Sequence, residues 1–176
     1  MENSFIQNAG IPWKQHQLQG TLLLGVGDQR LLEQELTAFF ASRQCTGTAI
    51  RLAMDWALAQ AAKKQAVVSG FHSPLEQSVL TVLLQAKSPV VAVLARPVSE
   101  AKLPGDWLEA VQAGQMVVVS REKNAGRLTK TQATLRNDIA AGLAQKIVIA
   151  HASPGGQLER SCELWSQAGW PIERLT

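Results

Sequence analysis

LTAFFASRQCTG, residues 36–47, begins as an apolar run of strand length and loses its apolar character within one residue. Ser42, Arg43 and Gln44 close the run, Gly47 follows, and a long alanine-rich segment comes next. A strand that empties into a small, polar, basic turn ahead of a helix is where an α/β protein holds an anion. There the free N–H groups and the dipole of the helix N-terminus meet at the carboxyl end of the strand. Ser42, Arg43 and Gly47 are therefore the first candidate anion ligands.

The pattern repeats downstream. Apolar runs QAVVSG, PVVAVLA, QMVVVS, KIVIA and a last short WPIERL alternate with segments of helical length. Strands that are apolar at every position must be covered on both faces, as in a parallel sheet flanked by helices. The expectation is a Rossmann-like, doubly wound α/β fold with a mainly parallel sheet of about five to six strands and helices on both faces. Upstream, GTLLLGVGDQRLL reads as a short strand, a Gly-Asp turn and a helical turn, an appendage to the main sheet. No repeat or low-complexity linker interrupts the chain, so residues 1–176 read as a single domain, with 1–35 a lead-in and 36–176 the core.

Four helices can be placed. TAIRLAMDWALAQAAKK carries Ile50, Met54, Ala57 or Leu58 and Ala61 at helical spacing, with Lys63 and Lys64 at the end where cations suit the dipole. In SPLEQSVLTVLLQAK, Ser73 precedes Pro74 and stands three residues before Glu76, the spacing of a capping box with proline at the first helical position. TKTQATLRNDIAAGLAQ puts Leu135, Ile139 and Leu143 on one stripe and turns Arg136 and Asn137 off it. GGQLERSCELWSQAG starts in a Gly pair and ends at Gly169.

The loops after the strands of such a sheet converge on its carboxyl edge. They are SRQCTG, SGFHSP, ARPVSE, SREKNAGR and HASPGG. Their glycines, hydroxyls and arginines make a set suited to phosphate. Besides the first turn, the candidates are Ser69 and Gly70, where a sharp turn lets a ligand approach the backbone, His72 beside a helix N-terminus, Arg96, Gly155 and Gly156. His151 ends a strand and is a further candidate for the cleft wall.

Charge supports a polyanion. The net charge is +3 and the pI about 9.1, and Arg121, Lys123, Arg127, Lys130 and Arg136 face the single acid Glu122 in one stretch. Apolar stretches are too short to cross a bilayer and the N-terminus lacks a signal-peptide run, so a cytoplasmic protein without a membrane partner is expected. Cys45 and Cys162 are too far apart in sequence, and too few, for a metal-ligand or disulfide spacing. No Ser/His/Asp order, paired carboxylates or Walker sequence is present. Neither a catalytic residue nor a cofactor nor a metal is assigned.

Taken in order, Gly27-Asp28 with Leu31-Leu32, Ala41-Ser42-Arg43, Val67-Val68-Ser69-Gly70, Ala92-Val93-Leu94 and Arg136-Asn137 in LRNDIAAGLA before KIVIA resemble the motifs of the DNA-processing protein A (DprA/Smf) family. The resemblance spans residues 20–170 and implies a Rossmann-like core that binds single-stranded DNA or nucleotide phosphates non-catalytically in DNA uptake and recombination. It adds Arg136 and Asn137 as phosphate contacts. It admits a recombination protein as partner and a homodimer, for which Trp165 and Trp170 are candidate interface residues. The sequence departs from the family at Ala41, where GSR has its first Gly, and at Ser69–Glu76, which replaces the SG-ARGID-AH loop and leaves that loop's Asp and His without counterparts. It reads as a stand-alone core with no winged-helix tail.

Two alternatives stand beside this reading. Pro154-Gly155-Gly156 followed by Glu159 resembles part of the PGGxGTxxE signature of nucleoside-phosphate phosphoribohydrolases, with its Gly-Thr step missing. A nucleotide-sensing module of the same broad fold group is the other. Among the tryptophans, Trp13, Trp56, Trp107, Trp165 and Trp170, four lie in or beside helices and read as core or interface residues rather than base-stacking platforms.

Overall fold

The computed structural model describes residues 16–18, 21–121 and 130–176. In chain order the elements are β1 (His16–Leu18), β2 (Thr21–Gly27), a 3-10 turn (Gln29–Glu33), β3 (Leu36–Ala41), α1 (Gly47–Lys63), β4 (Ala66–Ser69), α2 (Pro74–Gln85) and β5 (Val90–Val93). A second 3-10 turn (Val98–Glu100), α3 (Gly105–Gln112), β6 (Met116–Arg121), α4 (Lys130–Leu143), β7 (Lys146–His151), α5 (Gln157–Gln167) and β8 (Ile172–Arg174) complete it.

Among the described residues one sheet of eight strands runs β1-β2-β6-β5-β4-β3-β7-β8. The six strands from β3 onward are parallel to one another. β2 pairs antiparallel with β6, and β1 with β2. The lead-in therefore extends the sheet instead of hanging from it, which raises the strand number above the five or six expected. The strand β2 was legible, but its pairing with β1 and β6 was not, since antiparallel pairing leaves no mark on the sequence of one strand alone.

β4 and β5 are buried at every position, so both faces need helices. Successive residues of β3 serve opposite faces: Phe39 packs with α1, α2 and α3, and Phe40 with α4 and α5. Trp56 of α1 stacks on Phe39 at 4.9 Å between centroids, and Trp165 of α5 lies 4.9 Å from Phe40 and 6.2 Å from Trp170. Trp165 is 4% exposed, and its indole N–H donates to Asp138 Oδ1 at 2.9 Å. It is a core residue and not the interface residue the sequence suggested.

The stripe of α1 also differs from expectation. Ala49, Ala53, Ala57 and Ala61 face the sheet, while Ile50 and Leu58 are 45% and 59% exposed. The small face lets α1 lie against strands already filled by Phe39, so the volume sits on the strand. The capping box at α2 forms as read: Glu76 N–H donates to Ser73 Oγ, Glu76 reaches back to the Ser73 N–H, and Pro74 opens the helix. The short α3 went unassigned in the sequence.

Candidate functional site

From β3 the chain steps through β4 and β5 to β6 on one side, then returns to place β7 on the other side of β3. The loops after β3 and β7 thus part at the carboxyl edge, the place where an open α/β sheet offers a crevice. Ser42 ties the two loops together. Its N–H donates to His151 O at 2.9 Å, and its hydroxyl accepts the Ser153 N–H at 2.8 Å. A register shift between Phe40 and Ala41 sets Ala41 opposite His151 and brings Ser42 to this point.

The loop after β4 is organised by Glu76. This carboxylate is 5% exposed. Oε2 accepts the Ala41 N–H at 3.0 Å, and Oε1 accepts the His72 N–H at 3.0 Å and the Ser73 N–H at 3.3 Å. One side chain on α2 therefore fixes the end of β3 and the turn after β4. Burial drives the carboxyl upward from its ordinary titration range, opposed by the N–H groups of Ala41 and His72, the charge of Arg136 and the Ser73 N–H. Sequence reading took Glu76 only as a helix cap. The capping-box spacing was the signal, but the bond to Ala41, 35 residues away, cannot be read from it.

Arg136 lies opposite. It was expected off the apolar stripe of α4, yet it is 8% exposed while Leu135 is less buried. Gly70 is the reason. A Cβ at Gly70 would stand 2.5 Å from Arg136 Nε and 2.8 Å from Cδ, so only glycine lets the side chain lie on the backbone there. The positive φ of this turn falls on Phe71, at 47°, which corrects the reading of Gly70 as the turning residue. Arg136 Nε donates to Asn137 Oδ1 at 3.3 Å. Burial pulls the guanidinium downward from its usual value and Glu76 opposes it, but no ion pair ties the two. Arg136 also lines the cleft at the carboxyl edge.

That cleft has a volume of about 360 Å³ and is walled by Gly70, His72, Gln77, Arg96, Lys102, Leu103, Trp107 and Arg136. Arg96 and Arg136 also line a small recess with Arg121, so three arginines, from the loop after β5, the end of β6 and α4, share one recess. His72 titrates below the ordinary histidine range because it loses water at the cleft wall and faces the charges of Arg136 and Arg43. Arg43 is exposed at the end of β3. A cluster of cations of this kind is suited to successive phosphates.

The loop after β7 is arranged differently. Gly155, with φ 71°, donates its N–H to Glu159 Oε2 at 2.6 Å. Arg160 donates to Gly155 O at 3.1 Å, and Gly156 N–H donates to Ser153 O at 2.9 Å. The first of the two glycines thus gives its N–H to a carboxylate of the helix that follows.

Of the sequence candidates, Gly70, His72, Arg96 and Arg136 wall the cleft, the charge of Arg43 acts on His72, and Asn137 accepts from Arg136. Gly47 is the exposed first residue of α1, behind the Thr46 cap. Ser69 is fully buried and its hydroxyl accepts the Phe71 N–H at 3.1 Å, so it shapes the turn from within. Gly155 and Gly156 lie beyond β3, two strands from β4. Lys102 and Trp107 were missed because they belong to the unassigned segment around α3. Lys123, Arg127 and Trp13 lie outside the described residues, as does the side chain of Lys130. Among the described residues no three His, Cys, Asp or Glu side chains gather as a metal site, and no helix is long and apolar enough to cross a membrane.

A sequence model of the family DNA recombination-mediator protein A matches residues 10–159. No curated protein matches the sequence. Among solved structures, DNA processing protein A from Streptococcus pneumoniae superposes with a TM-score of 0.72 at 20% identity, covering 87% of this chain and 54% of that one. This chain thus spans about half the length of that relative. DNA processing protein A from Helicobacter pylori, solved for its single-stranded DNA binding mode, gives 0.71 at 16% identity over 99% of this chain and 77% of that one. The molybdenum cofactor binding protein from Rippkaea orientalis gives 0.57 at 10% identity, with coverages of 80% and 76%. At these identities the superpositions establish a shared Rossmann-like fold.

Proposed function

Since this chain belongs to the DNA recombination-mediator protein A family, we propose that it binds single-stranded DNA through its phosphates at the carboxyl edge of the sheet, as a non-catalytic component of DNA uptake or recombination. The observation that carries this reading is Arg136, laid on Gly70 and, among the described residues, in no ion pair, at the wall of a cleft that also holds Arg96, His72 and Lys102. Burying a guanidinium costs free energy that an anion beside it offsets. A strand crossing from Arg43 past Arg136 to Arg96 would supply that anion in its phosphate oxygens.

The phosphoribohydrolase-like alternative is disfavoured by Glu159, whose carboxylate is engaged by the Gly155 N–H instead of standing free over a sugar. Binding of a mononucleotide alone would favour the sensing module. A homodimer would set two clefts along one strand and raise apparent affinity through effective concentration. Light scattering with affinity measured against strand length tests that step.

The test of the main reading is a titration of a short single strand at several salt concentrations, beside a mononucleotide. Affinity should fall with salt at a slope of about −0.7 per phosphate contact. Arg136→Ala and Arg43→Ala should each weaken binding of every sequence and flatten that slope, Arg136→Ala by about 2 kcal/mol. Unchanged affinity in both variants would overturn the reading.

A further inference from the structure

We propose that His72 is a proton-coupled phosphate ligand of this cleft, neutral while the cleft is empty and protonated once a phosphate enters it. The inference rests on the cleft being a DNA-phosphate site. The backbone of His72 is held from both sides: its N–H donates to Glu76 Oε1 at 3.0 Å, and its carbonyl accepts from Gln77 Nε2 at 3.1 Å. The backbone is therefore fixed at the cleft wall, which His72 lines with Arg96, Lys102 and Arg136.

The groups around it set the sign. Arg136 approaches from α4, Arg43 from the turn after β3, and Arg96 and Lys102 from the connection between β5 and α3. The acid among them, Glu76 of α2, is buried and engaged by three backbone N–H groups. His72 also precedes the N-terminus of α2, where the helix dipole disfavours a cation. A further positive charge is unwelcome in the empty cleft, in keeping with the lowered titration of this histidine. An entering phosphate reverses that balance, since the imidazolium then gains a charge-assisted hydrogen bond and its neighbours are neutralised.

By linkage, protons are taken up on binding wherever the pH lies between the lower, empty-cleft pKa and the higher, occupied one. Affinity is flat above both, rises as the pH falls through the window, and levels off below both. Each unit by which phosphate raises the pKa is worth about a tenfold gain in affinity at the acid end.

The probe is a short oligothymidylate, whose bases take up no proton in this range. It is titrated from pH 5.5 to 8 at fixed ionic strength, with calorimetry in two buffers of different ionisation enthalpy to count protons. Affinity should rise about tenfold toward acid pH, with proton uptake in between and a salt slope steeper by about 0.7 at the acid end. The chain has three histidines. His72→Gln should flatten the profile and abolish the uptake, while His151→Gln and His16→Gln should keep both. Binding that is pH-independent in the wild type, or an acid gain that survives in His72→Gln, would overturn the proposal and leave the DNA reading standing. No binding of the strand at any pH would overturn both.

Discussion

The turns after β4 and β7 are built from the same parts and do opposite things. Each has small residues, a glycine, and a glutamate in the first turn of the helix that follows. Glu76 accepts N–H groups from its own loop and from the end of β3, stays buried, and leaves the outer side of the turn to Arg136 and His72. Glu159 accepts the N–H of Gly155, the group a phosphate would otherwise use, while Arg160 holds the carbonyl of the same residue. One carboxylate supports an open cation-lined cleft from beneath, and the other fills its own turn. Whether a glycine turn at a helix N-terminus receives an outside anion thus depends on where the nearest acid points.

Three substitutions separate the two roles. Glu76→Gln should have the largest effect. It sets an amide NH₂ against a backbone N–H, at a cost of about 3 kcal/mol in a denaturant titration with unchanged m. A loss under about 0.5 kcal/mol, the size of an ordinary surface substitution, would mean that Glu76 does not organise the two loops. Gly70→Ala should act less on stability, by about 1 kcal/mol, because Arg136 can move. Strand affinity should nevertheless fall about tenfold, or 1.4 kcal/mol, and adding the change to Arg136→Ala should cost no further affinity. Additive losses would show that Gly70 matters for something other than seating Arg136. Glu159→Gln should have the smallest effect, about 0.5 kcal/mol of stability, with strand affinity unaltered. Tighter binding at low salt would show that the β7 turn is a second phosphate seat held shut by its own acid.

The parallel strands were legible in the sequence because a strand buried on both faces needs an unbroken apolar run, as at Val90–Val93, and nothing else in this chain looks like that. α1 was legible as a helix but not in orientation. Its apolar side chains of any size tempt one to put Ile50 and Leu58 inward, whereas the room left beside Phe39 and Trp56 admits only alanine. The site was partly legible for a similar reason. Loop composition pointed to Arg43, Gly70, His72 and Arg96 at the carboxyl edge. Arg136 was placed on the wrong side of its helix because charge argues for solvent, and only the missing Cβ at Gly70 explains why it lies inward. Glu159 reads in the sequence as the acid of a partial phosphoribohydrolase signature, and its bond to the Gly155 N–H is not written in that spacing.

The bond between Ser42 and Ser153 joins residues 111 apart in sequence, and that separation has a kinetic meaning. During synthesis β3 emerges early and can pair with β4 at once, but its other edge stays open until β7 appears. Contacts of such long range form late because loop closure must precede them. A nascent chain ending before β7 would carry the unpaired edge of the central strand, a template for pairing with another chain. Ser42 is placed to register the arrival of β7, so the crevice at the carboxyl edge is completed only when the sheet has closed on both sides of β3.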